Sequence, residues 1–403
     1  MKIEAIRTDF PILNTGVIYL DSAATSLTPE PVLDAVLDYY RDYNANVGRG
    51  VYRLARMASQ RYEAARSKVA EGIGAKTQEL IFTKNTTEAI NIVASGMGLK
   101  KGDKVITSVW EHHSNLLPWI RAKNELGMDL VVVKPSTESS EAKLEASDFD
   151  AVIDKKTKLV AITHVSNALG SLMPVEEIAS ICEDNNALLL LDAAQSVPHM
   201  RINVKALGCD FLAFSGHKML GPTGIGGLYI KAEHMAGTEP LTVGGGTVED
   251  ASFVDYQLKS GYEEFESGTP NIAGAIGLSA AVAYLEEIGL DKVKSWEAKL
   301  AKRLIEGLQD IPGIKLYGYD SSDAFRIGVV SFNLEGRTPN EVALLLDKEA
   351  SIAVRSGHHC CIPLMDYLGP GAEGTVRASV YLYNTEEEVE RFLAVLARIS
   401  KGG

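Results

Sequence analysis

With 403 residues, 46% of them hydrophobic and 23% charged, the chain has the make-up of a soluble globular protein, long enough for two domains or one large α/β domain with an appendage. Its net charge is −13 with no basic stripe, which argues against a nucleic-acid partner; no apolar run approaches the roughly 20 residues that span a bilayer, which argues against a membrane. Four cysteines (Cys182, Cys209, Cys360, Cys361) make no disulfide framework, and the opening "MKIEAIRTDF" has no apolar signal core, so a reducing cytoplasm is the expected location.

Residues 1–30, broken by Pro11 and Pro29, read as an arm; lying ahead of the large domain, it is expected to pack with the small one. Amphipathic stretches follow near 32–43 and 52–72. Then strand-like runs alternate with helical patterns: "ELIFT", "KVITSV", "DLVVV", "KLVAITHVS", "ALLLLD", "DFLAFS" and "GGLYI". Several are apolar without alternation, as strands buried on both faces must be. The pattern is a mostly parallel mixed sheet flanked by helices, and it defines a large domain over 31–265. Residues 266–290 read as a linker and interdomain helix. The tail, 291–403, mixes "GIKLYGY", "IGVVSFNL", a helix near 339–348, "SIAVRSG", "VRASVYLY" and a last helix from about 386: a small C-terminal α/β domain.

Ligands of open α/β sheets bind beyond the carboxyl ends of the strands. The strand "KVITSV" leads to His112 and His113, "KLVAITHVS" to Asn167, "ALLLLD" to Asp192 and Gln195, and "DFLAFS" to Ser215, His217 and Lys218. Asp192 alone reads equally as a helix cap or a buried ion-pair partner. Lys218 alone reads as a surface cation. Together, a lysine among glycines at a strand end and an aspartate that can face a ring nitrogen are the pair that pyridoxal 5'-phosphate needs. Thr86 and Thr87 fall where a helix should begin, either as an ordinary threonine cap or as donors to a phosphate, with Ser215 and His217 opposite. The fingerprints of dinucleotide and P-loop folds are absent.

The motifs "TTEAIN", "EHHSN", "HVSNALG", "DAAQS", "SGHKMLGPTGIGGL", "FESGTPN" and "RSGHHC" stand in one order along nearly the whole chain. In this the sequence resembles the cysteine desulfurases, fold-type I transferases of the class V aminotransferase superfamily, and most of all their group II, sulfur-mobilisation branch, which includes selenocysteine lyase-like members. The resemblance implies that Lys218 carries the cofactor as a Schiff base and moves the proton at the substrate Cα. It implies that His112 stacks on the cofactor ring and helps move protons as a catalytic residue, Asp192 holds the ring nitrogen protonated, and Gln195 bonds the phenolate oxygen. Thr86, Thr87, Ser215 and His217 would hold the phosphate, and Thr269 would reach the phosphate of a second subunit in a homodimer. Asn167 and Arg377, with Arg355 nearby, would bind the carboxylate of L-cysteine or L-selenocysteine. Cys360 would accept the sulfur as a persulfide and pass it to an acceptor protein, with Arg355, His358 and His359 supplying positive or hydrogen-bonding groups around it. Two positions depart from the family pattern: Tyr52 stands where histidine is usual, and Cys361 where a small residue is usual.

A metal site from "HHCC" is disfavoured, because adjacent side chains diverge and cannot converge on one ion. A vicinal disulfide is strained. The competing readings are a selenocysteine lyase, another class V enzyme such as an aminotransferase, which needs no thiol, and an idle scaffold, against which Lys218, Asp192, His112, Cys360 and Arg377 all stand.

Overall fold

The computed structural model describes residues 2–136, 142–319 and 326–402. Strands are numbered along the chain: β1 (Ile18–Tyr19), β2 (Leu80–Thr83), β3 (Lys104–Ser108), β4 (Asp129–Val133), β5 (Thr157–Thr163), β6 (Leu188–Asp192), β7 (Phe211–Ser215), β8 (Gly226–Ile230), β9 (Val248–Ala251), β10 (Tyr256–Leu258), β11 (Ile314–Tyr317), β12 (Val329–Leu334), β13 (Ile352–Ala353), β14 (Arg355–Gly357) and β15 (Thr375–Ser379).

The seven apolar runs read from the sequence form one sheet in the order β2-β8-β7-β6-β5-β3-β4. Within it β8 alone runs against the others. Strands β2, β7 and β8 are buried at every position, whereas the edge strand β4 keeps Asp129 and Val132 exposed. Apolar clusters cover both faces: Ile106, Val160, Leu189 and Leu212 point to one, and Val105, Leu159, Leu190 and Phe211 to the other. That alternation is the period of two expected of a strand sandwiched between helices.

A second sheet, β11-β12-β15-β14, is antiparallel throughout. Its cluster contains Phe332, Val376 and Phe392, and also Ile18 and Leu20 from the N-terminal segment. Strand β1 pairs in parallel with β13, Ile18 opposite Ile352, and Asp21 bridges to Ser379. The run "SIAVRSG" therefore splits: its first residues pair with β1 and its last with β15. "VRASVYLY" is strand only as far as Ser379, after which Val380 turns to donate to the Gly328 carbonyl. The hairpin of β9 and β10, largely exposed and polar, has no apolar alternation to announce it.

Helices Ile272–Ile288 and Leu290–Gln309 bend by 76° at Gly289, whose φ of 91° suits glycine. Among the described residues no single helix is long and apolar enough to cross a membrane.

One buried ion pair ties the segment after β10 to the sheet. Arg66 forks onto Glu266 at 2.5 and 2.8 Å and also donates to the Leu80 carbonyl; Glu266 accepts from Tyr62 and from the Phe82 amide as well. Removing one partner strands a charge. Arg66→Ala should therefore lower stability by about 3 kcal/mol or more, read as a fall in urea midpoint. Unchanged stability would mean that water reaches Glu266.

Candidate active site

Strands β3, β5, β6 and β7 are adjacent and parallel, so their carboxyl ends share one edge. The residues just beyond them, His112, Asn167, Asp192, Gln195, Ser215, His217 and Lys218, line one cleft of about 210 Å³. Thr86 and Thr87 enter it from the helix Thr86–Gly96, and Arg355, Cys360 and Arg377 from the C-terminal sheet and its loop. Of the residues that the resemblance assigns to the cofactor, the substrate or the acceptor thiol, Thr269 alone lies elsewhere. It lines a second cavity with Tyr52, Arg66 and Glu266.

The cleft is built to hold charge in little water. Asp192 is buried and accepts the Ala194 amide at 3.0 Å. Burial pushes its pKa up, and Lys218 opposes that rise. Lys218 keeps some surface toward the cleft, but protein surrounds its amine. That desolvation draws its pKa below the ordinary amine value, with Asp192 pulling the other way. His112 Nδ1 accepts the Ser114 amide at 3.1 Å, which leaves the ring proton on Nε2. Burial, reinforced by Lys218, lowers this ring to about 3, so it is neutral.

The anion cradle differs from the expectation in one detail. Asn85, not a threonine, caps the helix, its side chain accepting the Glu88 amide; Thr86 and Thr87 are the first two helical residues. Their amides and hydroxyls stand at a helix N-terminus with Ser215, whose hydroxyl lies 2.7 Å from that of Thr86. A Cβ at Gly226 would come within 2.4 Å of the Phe214 carbonyl, so only glycine lets β8 close against β7 behind this cradle.

Arg355 and Arg377 are direct cross-strand partners on β14 and β15. Like charges so placed repel. One carboxylate, Asp21, answers Arg377 at 3.1 Å. The remaining positive charge faces a cleft that has room for an anion. Arg377 Nε is buried without a hydrogen-bond partner, and so is Gln195 Oε1. Gln195 Nε2 gives one hydrogen to the Ala23 carbonyl, which leaves it a second to offer. A buried amine, a buried carboxylate, a helix N-terminus rich in hydroxyls and a spare amide donor fit pyridoxal 5'-phosphate.

Cys360 is exposed at the cleft, while Cys361 is buried, donates to the His358 carbonyl, and has its pKa pushed up to about 12 by desolvation. His359 does not supply positive charge. Its ring is buried against Thr375, and desolvation lowers it to about 2. Asn167, which lines the cleft, donates its side-chain amide to the His359 carbonyl and so also holds the loop.

Several residues of the site escaped the sequence reading. Asp21 comes from the N-terminal arm, where nothing local marks it. Glu111, next to His112 in the chain, is buried and accepts from Ser108, Asn115 and the Thr163 amide; burial raises it to about 8 against those three bonds. Its signal was present, a carboxylate between a tryptophan and two histidines at a strand end. His113 sits against the cysteine loop rather than in the cleft.

The aminotransferase class-V family model matches residues 18–392. A probable cysteine desulfurase of Pyrococcus abyssi is 50% identical over 99% of this chain and 98% of its own length. The solved cysteine desulfurase of Thermococcus onnurineus NA1 superposes with a TM-score of 0.95 at 50% identity, covering 99% of this chain and 98% of that one. The cysteine desulfurase CsdA of Escherichia coli gives 0.91 at 34% identity, covering 100% and 99%.

The neutral rings have a consequence for stability. His112, His164 and His359 have folded pKa values of about 3, 4 and 2, below their ordinary 6.5. Below pH 6.5 the unfolded chain takes up protons that the folded chain refuses. Stability present above that pH should fall as the pH drops toward 4, by at most about 1.4 kcal/mol per pH unit for each ring. His164→Gln, which cannot titrate, should flatten the slope in cofactor-free protein; an equally steep urea-midpoint profile would refute the assignment.

Proposed function

The chain belongs to the aminotransferase class-V family, and we propose that it is a pyridoxal 5'-phosphate-dependent cysteine desulfurase, converting L-cysteine and its own thiol to L-alanine and a persulfide. The observation that carries this reading is an exposed cysteine, Cys360, in the same cleft as Lys218, Asp192 and the Arg355–Arg377 pair. Transamination would use the last three and leave the thiol without a task.

When bound, the cofactor supplies an electron sink that weakens the bonds at the substrate Cα. Lys218 is its attachment point. The desolvation that lowers this amine's pKa raises the fraction free to act as a nucleophile and to carry a proton to and from the Cα. Asp192, whose pKa burial raises and Lys218 draws back down, would face the ring nitrogen and favour a proton there. The helix N-terminus at Thr86 and Thr87, with Ser215 and His217, would hold the phosphate, and Gln195 has a hydrogen free for the phenolate oxygen. His112, a neutral imidazole in the same cleft, would stack on the ring. Arg377, with Arg355 beside it, takes the substrate carboxylate, for which a guanidinium's planar fork is suited. The Cys360 thiolate attacks the substrate sulfur: an S–S bond forms, the substrate C–S bond breaks, and the three-carbon fragment gains a proton and leaves as alanine.

The division into an arm over 1–30, a large domain over 31–265, a linker over 266–290 and a small domain over 291–403 is part of this reading. So are a cytoplasmic location, an acceptor protein that takes the persulfide sulfur toward iron–sulfur clusters or other sulfur traffic, and a homodimer. The second cavity, where Thr269 lies with Tyr52, supports the dimer as the place where a partner's phosphate would be reached. Light scattering should give twice the chain mass; an active monomer would end that part of the reading.

Incubated with L-cysteine and a thiol reductant, the holoenzyme should release sulfide and alanine in equal amounts. Lys218→Ala should lose both the activity and the borohydride-fixed cofactor. Cys360→Ser should bind cofactor and substrate yet release no sulfide, whereas Cys361→Ser should keep most of the activity. Persulfide mapped to Cys361 after one turnover would overturn the assignment; activity of Cys360→Ser confined to L-selenocysteine would favour a lyase.

A further inference from the structure

His113 follows His112 directly but serves a different neighbour. Its main-chain amide donates to the Cys360 carbonyl at 2.7 Å, and its Nε2 accepts the Ile362 amide at 3.1 Å. One residue thus holds the chain on both sides of Cys361. Asn167, from the next strand end, adds the bond to the His359 carbonyl at 2.8 Å.

What they hold is strained. His359 and Cys360 have φ of 52° and 59°, two consecutive non-glycine residues in the left-handed region. Each costs roughly 1 kcal/mol or more, and such a conformation persists only where its surroundings over-determine it. Ile362 opens the helix Ile362–Leu368, so its amide has no partner within the helix. The imidazole lone pair satisfies it. That fixes the tautomer, with the proton on Nδ1, and requires a neutral ring. Partial burial, with His358 nearby, lowers the pKa of His113 in keeping with this.

We infer that His113 is a positioning residue of the sulfur-transfer step: its side chain pins the loop at Ile362 so that the strained turn presents Cys360 to the cleft. The inference rests on Cys360 being the sulfur acceptor. It assigns to the second histidine of "EHH" a role at the thiol, not at the cofactor.

The test compares holoenzyme carrying His113→Phe, which removes the acceptor, with His113→Gln, whose Oε1 can replace it. Single-turnover transfer of sulfur to Cys360 should slow about tenfold in His113→Phe, the worth of roughly one hydrogen bond to the rate. The KM for L-cysteine and the cofactor absorbance should not change, and iodoacetamide should alkylate Cys360 faster as the loop loosens. His113→Gln should recover most of the transfer rate. Wild-type transfer and alkylation rates in His113→Phe, or a His113→Gln no better than it, would overturn the inference. The Cys360→Ser control separates the two readings: if that variant releases sulfide from L-cysteine at the wild-type rate, the acceptor assignment has failed, whatever His113 does.

Discussion

The site depends on register. Four neighbouring parallel strands, β3, β5, β6 and β7, must all end on one edge, and each must end with the correct face turned to the cleft. A slip of one residue in any of them would turn its side chains to the other face of the sheet. The double-sided apolar packing makes such a slip costly, since Leu189 and Leu190 belong to different clusters and would have to exchange. The geometry of the cleft is therefore held by the hydrophobic core, several residues away.

The charges follow from that burial. Around the cleft three basic groups, Lys218, Arg355 and Arg377, meet two acidic ones, Asp192 and, through its bond to Arg377, Asp21, and the nearby rings do not add to the positive side. Desolvation keeps His112 and His359 neutral. This suits a ligand with two anionic ends, a phosphate at the helix start and a carboxylate at the arginine pair. Glu111 complicates the balance. All three of its hydrogen-bond partners, the Ser108 hydroxyl, the Asn115 amide and the Thr163 main-chain amide, donate to it. The bonding pattern thus favours the carboxylate, against the burial that raises its pKa to about 8.

The strands were legible because burial on both faces leaves near-continuous apolar runs, and the polar residues that end them stand out. Lys218, Asp192 and His112 could be placed at one edge by this alone. The arm was not legible in the same way. Asp21 matters because β1 pairs with a strand more than three hundred residues later, and no local pattern encodes that pairing. Thr86 and Thr87 were found, but Asn85 holds the cap. His359 read as a possible charge beside the thiol; its burial against Thr375, a tertiary fact, makes it neutral.

The loop that carries the thiol joins these threads. Its carbonyls at His359 and Cys360 and its amide at Ile362 are taken by residues from two of the strand ends that form the cleft. Cys360 thus belongs by sequence to the C-terminal part of the chain and by hydrogen bonding to the large sheet. Arg377 is anchored likewise, donating to the Asn167 carbonyl. Asn167 therefore touches both the loop that holds the thiol and the buried guanidinium of Arg377. A thiol that must meet a substrate sulfur has to be fixed relative to the edge that carries Lys218, and a loop tied only to its own sheet would not be. The two non-glycine residues in left-handed conformation mark where the chain bends to accept those bonds.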